Sequence, residues 1–198
     1  MGKDRESNEQ DSSDRKQRQE EINVYDLEFS IRKSVRYHAK RRRHFEILHH
    51  WSVVLTSIAG TSAVTALLGD LNTFALVLTS ASAIISITDS IVDFSGKQKI
   101  YNDLQRKFSE LLAKIIEAKK TAENLASWEA ERIMIEIDEP TQLSLLNCIC
   151  HNEQKESEGE KIIYKFSKWR SMVSQFSSFD SHVSEIYSKT KETPKSAQ

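Results

Sequence analysis

The feature that most constrains this chain is a stretch, residues 51–88, that carries almost no charge. Asp70 is its one charged residue, whereas the segments on both sides hold nearly all the Lys, Arg, Asp and Glu. A soluble helical domain usually interrupts its apolar face with charged residues every turn. About 20 apolar residues in a helix rise about 30 Å, which is the thickness of a bilayer's hydrocarbon core. The stretch therefore predicts membrane-spanning helices.

The stretch divides into two spans, residues 51–69 and 71–92, at the turn-forming residues Gly69 to Asn72. Such a short connection makes the spans antiparallel neighbours. Basic residues lie before the first span and after the second, and the turn has none, so both chain ends are expected in the cytoplasm. The chain has few Gly and Pro. We predict an all-α membrane protein, a two-helix transmembrane hairpin with long cytoplasmic helices before and after it.

The segments outside the hairpin predict a simple domain order. Residues 1–21 contain no aliphatic residue after Met1, which indicates a disordered tail. Residues 22–155 form the two-span domain, beginning with a helix whose apolar residues recur every three or four positions. Residues 156–192 are expected to form a C-terminal amphipathic helix with an aromatic face, and residues 193–198 a tail.

A sustained heptad pattern follows the second span. Apolar residues alternate at spacings of three and four from position 101 to position 125, which is typical of a helix in a coiled coil. The pattern predicts packing along another helix, in the same chain or in a neighbouring copy. We interpret it as an oligomer seam formed by Tyr101, Leu104, Phe108, Leu111 and Ile115.

Polar side chains form a stripe along each span. In the second span the spacing is 3, 4, 3, 4 and the stripe ends in two carboxylates; in the first span it is four. Two interpretations of such a stripe are open. Its small polar residues permit close packing of the helices, or the stripe lines a water-filled path once several copies assemble. Ionisable residues at membrane depth favour a functional role. The candidate pore-lining residues are Thr79, Ser82, Ser86, Asp89, Asp93, Ser57, Thr61 and Thr65.

The basic run directly before the first span is interpreted as a topology determinant and a contact for anionic lipid. With Trp51 at the span edge, its residues Lys40, Arg41, Arg42 and Arg43 are predicted membrane-interface anchors. We do not predict nucleic-acid binding, because no stacking aromatic residues or recognition fold accompany the run.

The sequence contains no motif typical of an enzyme active site. His49 and His50, and the short motif from Cys148 to His151, lack a second pair of ligands at zinc-like spacing. No nucleophile elbow, P-loop or dinucleotide fingerprint is present. We expect neither catalysis nor a metal or cofactor.

Three segments together resemble the SLATT family, two-helix membrane effector domains associated with SMODS and SLOG proteins in bacterial conflict systems. The first is the basic helix Arg36-Tyr37-His38-Ala39-Lys40-Arg41 leading into Trp51, ahead of a tight, hydroxyl-rich hairpin. The second is the long helix that opens near Tyr101-Asn102-Asp103-Leu104. The third runs from Pro140 to Leu146-Asn147-x-x-Cys150-His151-Asn152-Glu153. The resemblance covers residues 22–155.

The resemblance implies an antiphage effector that oligomerises in the bacterial inner membrane and forms a pore, which depolarises or lyses the infected cell as abortive infection. It also implies a sensor or nucleotide-signalling protein encoded nearby as a partner. The sequence leaves a second interpretation open. In it the hairpin anchors a non-pore helical scaffold that docks a cytoplasmic partner.

Overall fold

The computed structural model describes residues 3–67, 72–118, 122–164 and Ser174; the side chains of residues 3–12, 59, 61–67, 72, 74–76, 78 and 122 lie outside this description. The described residues form helices and contain no strand, which confirms the predicted all-α class. The helices are α1 (Lys3–Leu67), α2 (Asn72–Val92), α3 (Phe94–Glu117), α4 (Ala122–Ile137) and α5 (Ser144–Ser157).

The first helix is longer than the sequence predicts. It begins at Lys3, so it also runs through most of the segment expected to be disordered. Residues 3–21 contain neither Gly nor Pro and are rich in Lys, Arg, Glu and Gln, which are good helix formers, so α1 extends through them at little cost. The described side chains there are almost all exposed.

The described residues divide into two compact units. Unit 1 comprises those in Met1–Tyr37 and Leu104–Gln198, and unit 2 is His38–Asp103. Unit 1 buries Val24, Leu27 and Ile31 of α1, as their three and four spacing predicts.

The predicted long heptad helix is in fact two helices, α3 and α4, which are antiparallel within unit 1. Lys114 lies 2.5 Å from Glu131, and Lys107 lies 2.9 Å from Asp138. Lys107 precedes Lys114 by seven residues, whereas its partner Asp138 follows Glu131 by seven. The two segments therefore run in opposite directions, and α4 folds back along α3. A hairpin satisfies the heptad pattern as well as one straight helix does, since α4 buries its own apolar face through Trp128.

This packing corrects the predicted oligomer seam. Leu104, Phe108, Leu111 and Ile115 are 2% exposed or less within the single chain. Tyr101, the remaining seam residue, is buried in unit 2. The seam therefore packs inside its own chain and is not an exposed assembly surface.

Pro140 separates α4 from α5, as predicted, because proline disfavours a helical conformation at the preceding residue. Asn152 of α5 then fixes the extended segment after the helix. Its side-chain amide donates to the carbonyl of Tyr164 at 2.5 Å, and its oxygen accepts from the backbone N–H groups of Ile163 and Tyr164. Residues 158–164 are thus not helical, and the rest of the predicted C-terminal helix lies outside the described residues, except Ser174.

Unit 2 contains the end of α1, all of α2 and the beginning of α3. The predicted turn between the spans, residues 69–71, lies outside the described residues. Asp93 interrupts the helix between α2 and α3 with a φ of 51°, and its Oδ1 accepts the N–H of Gly96 at 2.9 Å. Within the part of the chain that the structure describes, no helix has both the length and the mean hydropathy required to cross a membrane.

Candidate functional site

The helices of the unit 2 hairpin meet through polar side chains. The Ser52 hydroxyl donates to Oδ2 of Asp89 at 3.0 Å, and the hydroxyls of Thr56 and Ser86 share a hydrogen bond of 3.1 Å. His49 Nδ1 lies 3.6 Å from the same carboxylate oxygen of Asp89. The Ser52–Asp89 and Thr56–Ser86 hydrogen bonds are about one helical turn apart on each helix. They form a polar seam between α1 and α2, which we call the hairpin seam: His49, Ser52, Thr56, Ser86 and Asp89.

The hairpin seam borders an open groove of about 440 Å³. Asp93, Ser90 and Ser95 add further oxygen atoms to its lining. The groove thus gathers two carboxylates, one imidazole and several hydroxyls. Among the described residues, however, no cluster of three or more His, Cys, Asp or Glu side chains is arranged to hold a metal ion.

Large aliphatic side chains are exposed on the same two helices. On α2, Ile84, Ile87 and Ile91 are each well over half exposed, and Ile91 reaches 79%. On α1, Val53 and Ile58 are about half exposed, whereas Ser52 is 4% exposed. The hairpin therefore exposes several large aliphatic side chains, together with hydroxyls such as those of Thr88 and Ser90, while Ser52, Ser86 and Asp89 hydrogen-bond between its helices.

Two of the eight candidate pore-lining residues, Ser86 and Asp89, join the hairpin seam. Thr79 and Ser82 are partly exposed on α2. The Ser57 hydroxyl donates to the carbonyl of Val53 in its own helix, and Asp93 caps α3. Thr61 and Thr65 have side chains outside the described residues.

Sequence reasoning missed Ser52 and Thr56, the α1 partners of the seam. They are four apart, as are Ser57, Thr61 and Thr65, so the first span has two hydroxyl rows. The spacing does not show which row faces α2, because that depends on the rotation of the packed helix. In the single chain Ser86 and Asp89 hydrogen-bond to α1, and both close packing and pore lining stay predictions.

The basic residues before the hairpin differ in burial. Arg41 is 9% exposed, and its guanidinium lies over the rings of Phe45 and Tyr101, at 4.7 and 5.2 Å from their centroids. This cation–π contact fixes Arg41 inside unit 2. The sequence predicts Arg41 as a membrane-interface anchor, whereas the structure buries its side chain in unit 2. Arg43 and Trp51 are exposed, and Trp51 reaches 60%.

His44 lies within the same run and is electrostatically perturbed. Burial lowers its pKa, and the neighbouring Arg41 guanidinium lowers it further, to about 4. Both causes disfavour the imidazolium form. His44 is therefore neutral at physiological pH.

We find no known protein family, curated protein or solved structure that matches this chain.

Proposed function

We propose that this protein is a membrane effector of the SLATT type, which inserts its hairpin into the bacterial inner membrane and assembles into a pore. Depolarisation and death of the phage-infected cell follow from that pore. The observation that carries the proposal is the set of exposed large aliphatic side chains on a hairpin whose helices hydrogen-bond through polar side chains. Such a pair of helices is favoured in a medium that does not compete for hydrogen bonds.

The seam suits a hairpin in a bilayer because it satisfies groups that lipid cannot. A carboxylate in hydrocarbon is costly unless it is hydrogen-bonded or paired. Asp89 has the Ser52 hydroxyl at 3.0 Å and the His49 imidazole at 3.6 Å. Two spans cannot enclose a pore, so the function requires several copies of the chain.

The first experiment tests insertion through the outer face. Ile84→Lys with Ile87→Lys should release the protein from bacterial membranes on alkaline extraction, since each charge near a span centre costs about 2.5–3.5 kcal/mol. The matched control is Ile133→Lys with Ile137→Lys. Those two isoleucines are also exposed but belong to α4 of unit 1. The control should stay in the membrane fraction. Extraction of the unmodified protein would refute membrane insertion.

The second experiment tests the pore. Induced expression in bacteria that carry a membrane-potential dye should collapse the potential for the unmodified protein and for the α4 control. The Ile84→Lys and Ile87→Lys variant should leave the potential intact. An inserted, well-expressed protein that leaves the potential intact would contradict the pore and favour the membrane-anchored scaffold.

A further inference from the structure

The basic residues before the hairpin do not all have the same surroundings. Arg41 lies over aromatic rings of unit 2, and the Arg42 guanidinium donates to the side chain of Asn102 at 3.1 Å. These two guanidinium groups hold α1 against α3. Arg42 also belongs to a second surface of α1, which it shares with Lys40 and Arg43.

That surface is an open groove of about 770 Å³ between side chains along one face of α1, within unit 2. It combines three Lys or Arg side chains with one carboxylate and two large apolar side chains. An anion is therefore favoured over a cation. Its principal lining residues are Lys40, Arg42, Arg43, Glu46, Ile47, His50 and Trp51.

The order of these residues along α1 matches the layers of a membrane surface. Lys40 and Arg43 come first, and Ile47 and Trp51 follow about one to three turns later, beside the first apolar residues of the hairpin. Ile47 is 46% exposed. Tryptophan is enriched at the level where headgroups meet acyl chains.

We propose that this groove binds the phosphate headgroup of an anionic phospholipid, with Lys40 and Arg43 at the phosphate and Ile47 and Trp51 against the glycerol and upper acyl chain. The inference rests on the proposed function, because it needs the hairpin in a bilayer. A free phosphate has no apolar part to cover Ile47 and Trp51, so the groove fits a lipid better than the free ion. The ligand thereby anchors the cytoplasmic end of the hairpin.

The test follows the fluorescence of Trp51 in the full chain. Phe replaces Trp128 and Trp169, the other two tryptophans, and the protein is held in mild detergent micelles. Phosphatidylglycerol or phosphatidylcholine with brominated acyl chains is then titrated, since bromine quenches a nearby indole. We expect phosphatidylglycerol to quench Trp51 at a several-fold lower concentration than phosphatidylcholine.

Variants that remove charge test which residues cause the preference for phosphatidylglycerol. Lys40→Gln with Arg43→Gln should weaken the apparent phosphatidylglycerol affinity roughly 25-fold, about fivefold for each basic residue removed. The matched control is Arg15→Gln with Lys16→Gln, which removes the same charge from exposed positions of the same helix. The control should keep the preference. Glu46→Gln should strengthen it, because it removes the one carboxylate of the groove.

Equal quenching by both lipids would overturn the proposal, and so would equal weakening by the control. Displacement of phosphatidylglycerol by equimolar inorganic phosphate would show that the groove selects the free ion. Alkaline extraction of the same variants from membranes keeps the two ideas separate. An inserted protein without lipid preference refutes the groove alone, whereas an unmodified protein that does not insert refutes the proposed function.

Discussion

At the scale of single residues, Asp89 is the point on which the hairpin's polar contacts converge. It accepts the Ser52 hydroxyl and faces His49, and its side chain is only 23% exposed. A side chain held this way can serve packing in one assembly state and face water in another. The energetic cost of moving a carboxylate such as that of Asp89 outward into lipid is high.

The histidine beside Arg41 gives unit 2 a defined dependence on pH. The unfolded chain protonates His44 near its ordinary pKa of 6.5, whereas the folded chain protonates it only near 4. The unfolded state therefore binds more protons between these values, so stability is full above pH 6.5 and falls as the pH decreases towards 4.

We expect the thermal midpoint of the purified protein in detergent to be lower at pH 5 than at pH 7.5, and His44→Gln to reduce this difference. Part of the difference should persist, because burial also lowers the pKa of His151 in unit 1. Midpoints at pH 7.5 and 8.5, both above this window, serve as the control. An unchanged difference in His44→Gln would contradict the assignment.

At the scale of elements, the junction between α2 and α3 depends on the contact of Asp93 with Gly96. A Cβ atom at position 96 would lie 1.9 Å from Oδ2 of Asp93. Gly96→Ala must therefore expel the capping carboxylate and should lower stability by about 1 kcal/mol, the typical value of an N-cap.

In an Asp93→Gly background, Gly96→Ala should instead raise the stability. Glycine tolerates the positive φ at position 93 and removes the obstructing carboxylate, so Ala at position 96 then contributes only its higher helix propensity. Denaturant midpoints of the four proteins of this cycle measure both effects. An equal loss in both backgrounds would rule out the cap as the cause.

The buried face of α3 leads to a prediction that separates folding from assembly. Leu111→Ala should cost about 2–5 kcal/mol of unfolding free energy, because it opens a cavity in the core of unit 1. Ile116→Ala on the same helix is the control; Ile116 is more than half exposed, so its loss should be within about 0.5 kcal/mol. Circular dichroism during denaturation measures both variants. A small effect of Leu111→Ala would restore α3 as an accessible seam.

The sequence was informative wherever a local rule decides the structure. The three and four spacing of Val24, Leu27 and Ile31 predicts the buried face of α1, and Pro140 predicts the end of α4. The end of α3 at Glu117 could not be predicted, because no Gly or Pro interrupts the heptad pattern and α4 continues it. The same applies to Ser52 and Thr56, whose pairing depends on how α1 is rotated against α2.

At the scale of the whole molecule, the proposed pore requires the hairpin seams of several assembled copies to line one path. In the single chain, Ser86 and Asp89 face α1, next to the open groove of about 440 Å³. If assembly turns this groove towards a common axis, the Asp89 side chains form an acidic ring at the cytoplasmic mouth. Acidic rings favour cations in channels.

Substitution of Asp89 tests this ring in reconstituted bilayers under a KCl gradient. Asp89→Asn should reduce the cation preference without abolishing the current, and Asp89→Lys should shift the reversal potential towards that of the anion. Glu129→Lys is the control, because it makes the same charge change at an exposed position of α4.

The packing alternative predicts a different result. If Asp89 only joins α1 to α2, its substitution should disturb assembly, seen as loss of oligomer in detergent, and leave the selectivity of any remaining current unaltered. A conducting Asp89→Lys protein with an unshifted reversal potential would therefore refute the ring. A path lined by the other hydroxyl row, Ser57, Thr61 and Thr65, would then be the next to test, since that row does not depend on Asp89 for its polarity.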